Sequence, residues 1–278
     1  MPHPGHPRRA ATVLELAVAT AIVLVIVGLL LPAIQKVREA SARTACTNHL
    51  RQIGTACHGY HDARDRFPSL GAATADPAAD FARRDAEWTW AYQLLPHLAQ
   101  PALYRNPDPA VVCRTPVAVF FCPARRPPTA VNGAARIDYA GNAGTTPDAT
   151  DGVIVPAARG TVRLADIADG ATGTVLAGGK RLNGAALGAT ADDDEAYPAA
   201  GWKGDYEVYR TGAAAPARDA TDPAETAPRS NFGAAHPGVF NAAFCDGSVR
   251  TLRYGVDPDL WRRSCARNTR LAPVPSEE

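Results

Sequence analysis

The hydrophobic positions of the chain form one long run near the N-terminus and only short runs elsewhere. Residues 11–34 read ATVLELAVATAIVLVIVGLLLPAI, in which Glu15 is the only charged residue. About twenty apolar residues in a helix, at roughly 1.5 Å each, span a hydrocarbon core of about 30 Å. The run therefore predicts a transmembrane helix over about residues 13–34.

The helical pattern continues past the apolar run, but there only one face of the helix is apolar. Apolar residues recur every three or four positions, on one face of a helix: Cys46, Leu50, Ile53, Cys57 and Tyr60. This predicts one helix from about residue 12 to residue 60, roughly 70 Å long, whose second half packs one stripe on a globular body. A cleaved secretory signal peptide is the alternative, but its apolar core is usually about 7–15 residues and ends in an extended segment.

The charges around the run predict its orientation and raise a question about Glu15. Arg8 and Arg9 precede the run and no acidic residue does, which favours a cytoplasmic N-terminus and an extracytoplasmic body. A carboxylate inside a membrane helix costs about 3 kcal/mol on insertion scales. Glu15 either snorkels to the interface, one turn into the helix, or pairs with a positive group of a neighbouring subunit.

The remainder has the pattern of a turn-rich α+β body. Residues 239–244 and 248–253 flank Asp246-Gly247, a dipeptide suited to a tight hairpin turn, and Asp257-Pro258 opens a helix through Cys265. We expect a small antiparallel sheet against the distal half of the long helix. Further short strands are predicted at 117–121, 152–155, 161–164 and 174–177, short helices within 88–104, and an exposed excursion, rich in Ala, Asp, Pro and Gly, at 184–230.

The composition of the chain argues against nucleic acid as a partner and bears on disulfides and zinc. The chain has 29 Lys and Arg against 28 Asp and Glu, so no net charge draws it to nucleic acid. Its six cysteines are compatible with one to three disulfides in an oxidising compartment. Their spacing does not match a zinc motif, since no CxxC or HxxxH pair is present.

Three groups of residues have side chains that could take part in chemistry. His236 and Asp246 resemble an acid–base pair, but each lies in a turn sequence and no GxSxG context accompanies them, so we expect no enzyme. His58, His61 and Asp62 share a helix face suited to a metal, or lie at the helix end in contact with solvent. Asp192, Asp193 and Asp194 offer oxygen ligands for calcium or form a solvated acidic loop, and we expect no cofactor.

Several segments resemble known sequence blocks. RRAATVLEL resembles the prepilin cleavage and methylation motif of type IV pilin-like proteins (pseudopilins). PAIQKVREASARTACTNHLRQIGTACHGYHDARDRFP, WTWAYQLLPHLAQPALY, VAVFFCPARRPP and VRLADIADGATGTVLAGG are similar to blocks of a large pseudopilin-like family whose body is a domain of unknown function. HPGVFNAAFCDGSVRTL fits that family's H-x9-DG motif with His236, Asp246 and Gly247.

The resemblance implies a processing and assembly route. Prepilin peptidase would cut between Ala10 and Ala11 and methylate Ala11, so that Glu15 becomes the fifth mature residue and Pro32 occupies a position where pilin helices often carry proline. It implies a leader (1–10), a helix (11–62) and an extracytoplasmic pilin-like domain (63–278). Cys46 and Cys122 coincide with cysteines of the family and could form a bridge, with Cys113–Cys122 an open alternative.

The expected function follows from this resemblance. The chain would be a structural subunit of a type IV pilus-like filament or a type II secretion-like pseudopilus. Its partners would be prepilin peptidase, other pilin subunits and membrane lipid, and it would lie in the inner membrane as a single-pass protein or in a cell-surface filament. A monomeric, membrane-tethered binding protein that uses residues 184–230 is the alternative.

Overall fold

The protein forms two compact units, residues 1–41 and residues 42–278. The computed structural model describes residues 13–73, 81–146, 148–190, 192–202, 206–222, 225 and 230–269. Ala10 and Ala11, the predicted cleavage residues, lie outside this part of the chain.

Helix α1 (Val13–Arg64) runs through both the apolar segment and the predicted packing stripe. Its predicted existence and length are confirmed, with an end four residues later than expected. Asp65 ends the helix with a φ of 53°, and its amide still donates to the His61 carbonyl at 2.7 Å. Pro32 lies inside the helix.

The apolar part of α1 meets the length and composition of a membrane span, and none of its most apolar window is buried. Leu14, Leu16 and Leu24 are each about two thirds exposed or more (73%, 66% and 65%). A signal sequence near an N-terminus passes the same test. The predicted apolar helix is therefore confirmed as long enough either to span a membrane or to act as a signal.

A five-stranded mixed sheet forms the centre of the body, with the strand order β5-β3-β4-β8-β9. The predicted α+β class is confirmed, but the sheet is not wholly antiparallel. β5 pairs with β3 in parallel, because the chain leaves β4 through a long connection and reaches the far edge beyond β3 rather than turning back in a hairpin. The strands are β1 (Ala130–Val131), β2 (Ala134–Ala135), β3 (Tyr139–Asn142), β4 (Val175–Gly179), β5 (Tyr209–Arg210), β6 (Ala217–Arg218), β7 (Gly233–Ala234), β8 (Val239–Phe244) and β9 (Val249–Arg253).

The distal half of α1 packs on this sheet as the periodicity predicts. Leu50, Ile53 and Cys57 are fully buried and share one core with Ala243 of β8. A Cβ placed on Gly54 would lie 4.0 Å from the Ala243 Cβ, so helix and strand are in close contact. The short helices are α2 (Phe81–Glu87), α3 (Trp90–Gln93), α4 (Pro101–Tyr104), α5 (Pro109–Arg114) and α6 (Pro258–Cys265). Trp261 and Cys265 of α6 lie in a second apolar cluster, with Phe232 and Phe240.

Local signals were right at the C-terminal end and less reliable in the middle. The β8–β9 hairpin forms with the expected turn, and Asp257 caps α6 by accepting from the Leu260 amide at 2.8 Å. The predicted strand at 174–177 is part of β4. The strands predicted at 152–155 and 161–164 are bends, coil and the start of a 3₁₀ turn, and residues 118–120 form a 3₁₀ turn instead of a strand.

The segment predicted as an exposed excursion, 184–230, is only partly exposed where the structure describes it, since residues 197–201 and 207–212 are buried. Tyr197 and Val208 are fully buried, and the Trp90 indole donates to the Val208 carbonyl at 2.7 Å. The prediction is wrong for these two stretches, and buried ion pairs such as Arg126–Asp193 and Arg210–Asp192 give polar residues of this segment partners inside the protein.

Candidate functional site

Two cysteines and a histidine that are far apart in the sequence meet inside the body. The Sγ atoms of Cys46 and Cys122 are 2.7 Å apart, and His236 Nε2 lies 3.7 Å from Cys122 Sγ. The three residues are 2%, 3% and 1% exposed, and their ligand atoms all lie within 4.8 Å of one another. We call this group the thiol–imidazole cluster.

Each member is held by backbone or side-chain contacts. Cys46 is the first buried residue of the α1 stripe. Cys122 follows a 3₁₀ turn, and its amide donates to Asp138 Oδ2 at 2.7 Å. One helical turn after Cys46, the His49 ring nitrogen Nδ1 donates to the Phe121 carbonyl at 2.9 Å, which ties α1 to the loop that carries Cys122.

His236 is placed by the loop before β8. The Tyr254 hydroxyl donates to the carbonyl oxygens of both His236 and Ala234 at 3.0 Å. Tyr254 directly follows β9 (Val249–Arg253), so the first residue of the H-x9-DG motif is held by the residue that follows the hairpin.

The two thiols differ in acidity. The hydrogen bond from Cys122, aided by the Arg125 guanidinium, lowers the pKa of Cys46, although burial opposes it. That hydrogen bond and burial raise the pKa of Cys122, and His236 acts against them. Cys46 is therefore the more acidic of the two thiols and the better nucleophile.

The space at the cluster is small. It amounts to about 10 Å³ and is lined by apolar and polar residues, among them Arg125, Tyr139 and Asn241. This is about the volume that one water molecule needs. The site therefore suits thiol chemistry or an ion, and an organic substrate does not fit.

A buried ionic network supports the cluster. Asp138 accepts from Arg126 at 2.6 Å and lies 3.1 Å from Arg125. Arg125 also contacts Asp219 at 2.8 Å, and Arg126 contacts Asp193 at 2.6 Å. Buried charges of this kind persist only when they are paired.

The network continues into the segment that was expected to be solvated. Lys180 and Glu207 are fully buried, with Nζ and Oε1 3.8 Å apart, and Arg210 contacts Asp192 at 3.0 Å. Asp192 and Asp193 are therefore engaged by cations of the protein. Of the three carboxylates considered for calcium, at Asp192, Asp193 and Asp194, the first two therefore bind arginine side chains.

The other predicted site residues do not converge. His236 precedes β8 and Asp246 follows it, so the strand separates them and they cannot act as an acid–base pair. Asp246 instead shapes the turn, since its Oδ1 accepts from the Ser248 amide at 2.9 Å, and Gly247 has a φ of 83°.

The helix-end histidines are used in packing. His61 Nε2 accepts from the Leu164 amide at 3.1 Å, and the His58 ring stacks edge-on against Phe67 at 6.0 Å. All six cysteines are free thiols in the structure, so the predicted bridge is not confirmed, although Cys46 and Cys122 are in contact.

The sequence indicates all three members of the cluster but not that they meet. The resemblance pairs Cys46 with Cys122, whereas His236 belongs to a turn motif. Zinc-type spacing rules examine cysteines close in sequence, whereas here the helix stripe, a loop and the approach to a strand each supply one group. One sequence feature does hint at the cluster: three of the segments that resemble the family each contain one of its members.

Comparison with known proteins gives one result. Residues 35–259 match a family described as "Protein of unknown function (DUF1559)". The match covers about four fifths of the chain and contains all three members of the cluster. No curated protein and no solved structure shows significant similarity to the chain.

Proposed function

Since the chain belongs to the DUF1559 family and carries a long apolar helix at its N-terminus, we propose that it is a membrane-anchored, pilin-like structural subunit. Several copies would assemble through the apolar part of α1 into a pilus-like filament or a secretion-type pseudopilus. Prepilin peptidase would first cut after Ala10. The body would lie on the extracytoplasmic side, and we propose no catalytic activity for it.

One observation carries this proposal: α1 presents a long, exposed apolar surface that contains a single charged residue, Glu15. Val13, Leu16, Leu29 and Leu31 are 87%, 66%, 72% and 56% exposed. A surface of this length is unfavourable in water. Lipid or the same surface of another copy would cover it. In a pilin-like assembly, lipid would cover it before assembly and neighbouring copies would cover it in the filament.

Glu15 gives the assembly a direction. It is the acidic residue in the first turn of α1, and the proposed cut would place a new ammonium four residues before it. A carboxylate and an ammonium from neighbouring copies neutralise each other, and the pair is less unfavourable in lipid than either charge alone. Staggered copies would be held in register by this contact.

Glu15→Ala tests the pairing. In cells that express the full chain, we expect the variant to insert in the membrane at the wild-type level. Chemical crosslinking between copies should fall at least tenfold, because the counter-ion of the neighbouring ammonium is lost. Asp62→Ala is the matched control, since Asp62 is an acid of the same helix whose side chain is 84% exposed.

Two outcomes would contradict the proposal. Crosslinked oligomers of Glu15→Ala at the wild-type level would refute the pairing. Mass spectrometry of the N-terminal peptide should show a methylated Ala11, and a chain recovered with Met1 intact would refute the processing route.

The tethered binding protein gains no support from the structure. That alternative depended on an exposed segment at 184–230, and Tyr197 and Val208 within it are fully buried. We therefore retain the assembly subunit as the single proposal.

A further inference from the structure

We propose that Cys46 and Cys122 form a thiol–disulfide switch, and that His236 is the residue that removes the proton from Cys122 when the bond closes. The inference concerns the body alone and does not depend on assembly of the apolar helices. It also gives the histidine of the H-x9-DG motif a chemical role, in addition to its place in the loop before β8.

The distance between the sulfurs favours a bond over a metal. At 2.7 Å, the two Sγ atoms must approach by roughly 0.7 Å to reach the 2.05 Å of a disulfide. Two thiolates on one tetrahedral zinc, at about 2.3 Å from the ion, would be roughly 3.7 Å apart. A metal would therefore push the helix and the loop apart by about 1 Å in a close-packed interior.

The acidity of the thiols assigns their roles. His236 lies beside Cys122, and the hydrogen bond from Cys122 lowers the pKa of Cys46, so we assign Cys46 as the attacking thiolate and Cys122 as the thiol that closes the bond. Cys122 must lose its proton to become a nucleophile in turn. His236 Nε2, 3.7 Å from Cys122 Sγ, is placed to accept it after a small movement of the ring.

The reaction needs a two-electron oxidant, and hydrogen peroxide is the smallest peroxide; the space at the cluster, about 10 Å³, would hold its reacting oxygen, the size of one water molecule. The Cys46 thiolate attacks one peroxide oxygen, so that an S–O bond forms and the O–O bond breaks. The hydroxide that leaves takes a solvent proton and becomes water. Cys46 is then a sulfenic acid.

The second step closes the bond. Cys122 gives its proton to His236, and its thiolate attacks the Cys46 sulfur, so that the S–S bond forms and the S–O bond breaks. The departing hydroxide takes the proton from His236 and leaves as water. The two thiols have lost two electrons, and one peroxide has become two water molecules.

Closure would connect α1 covalently to the loop that carries Cys122. Cys46 and Cys122 are 76 residues apart in the chain, so the bond joins a helix to a loop that the fold otherwise holds by contacts such as His49 to Phe121. Oxidation would therefore fix the distal half of α1 to the body, and reduction would leave it held by non-covalent packing.

The test uses the full chain, reduced in detergent and then exposed to hydrogen peroxide. Peptide mapping should show a Cys46–Cys122 link, and the intact mass should fall by two hydrogens. In His236→Gln the closure step should slow roughly 100-fold, the usual size of a lost general base. A sulfenic acid on Cys46, trapped with dimedone, should then accumulate.

Controls separate chemistry from loss of structure. His97→Gln changes an exposed histidine, and Cys113→Ser removes a cysteine outside the cluster; both should close at the wild-type rate. Cys122→Ser cannot close and should trap dimedone on Cys46. The wild-type closure rate should rise with pH through one ionisation that is missing in His236→Gln, a difference that a purely structural histidine would not produce.

Three results would overturn the inference. His236→Gln could close at the wild-type rate with the same pH profile. Peptide mapping could show Cys113–Cys122 in place of Cys46–Cys122. The reduced chain could take up one zinc ion that protects both thiols from peroxide and is lost in His236→Gln, in which case the cluster is a metal site.

Discussion

Asp138→Asn should destabilise the body far more than its conservative size suggests. The side chain is fully buried, and its two oxygens have three contacts. Arg126 Nη2 donates to Oδ1 at 2.6 Å, Arg125 Nη1 lies 3.1 Å from Oδ1, and the Cys122 amide donates to Oδ2 at 2.7 Å. An asparagine keeps the shape but carries no charge and turns an amide group toward one of these donors.

The expected cost follows from the burial of the partners. Removing one member of a buried ionic network costs about 3–5 kcal/mol, because the remaining charge is left uncompensated. Asp219 and Asp193 still balance part of the two guanidinium charges, which favours the lower end of that range. For a body of this size, such a loss lowers Tm by about 6–20 °C.

Thermal unfolding of the full chain in detergent, followed by near-UV circular dichroism, measures the change. Arg83→Gln is the matched control, since Arg83 and Glu87 are 2.7 Å apart but the Arg83 side chain is 57% exposed. Its loss should cost no more than about 1 kcal/mol. If Asp138→Asn unfolds within 2 °C of that control, about the shift that 1 kcal/mol produces, the network does not stabilise the fold as described.

Two further predictions concern pH and the hairpin turn. Burial raises the pKa of Glu207 to about 8 although Lys180 opposes it, so the folded state keeps a proton that the unfolded state releases. Stability should fall as pH rises from 4.5 to 8, and Tm of Glu207→Gln should lack that decline. Gly247→Ala should cost about 1–2 kcal/mol of stability, because an alanine is strained at its φ of 83°. A clash adds nothing to this cost, since the new Cβ would meet nothing closer than the His58 ring at 3.8 Å. Gly255→Ala is the control: its Cβ would meet nothing within 4 Å, so it should be nearly neutral in the same thermal assay.

The parts of the fold that the sequence predicted well are those with local causes. The α1 stripe follows from a repeat of three and four residues, and the β8–β9 turn follows from a dipeptide that accepts positive φ angles. β3 and β5 gave no such signal. β3 reads Tyr-Ala-Gly-Asn and β5 is two residues long, and both are buried on all sides, so neither shows alternation.

The failure at 184–230 has a different physical cause. Its low content of large apolar residues predicted solvent exposure. Burial there depends on partners such as Arg126 for Asp193 and Arg210 for Asp192, which composition cannot reveal. The thiol–imidazole cluster escaped prediction for the same reason, since it is made by tertiary contacts between three separate elements.

Because the distal half of α1 is part of the core, a water-soluble version of the body has to keep it. A fragment that begins at Ala42, where the second compact unit starts, keeps Leu50, Ile53 and Cys57 over the sheet. A fragment that begins after Arg64 would remove these fully buried side chains and expose the face of β8 that they cover. Trimming the chain for crystallisation therefore means cutting within the helix, since removing it whole would open the interior and promote aggregation.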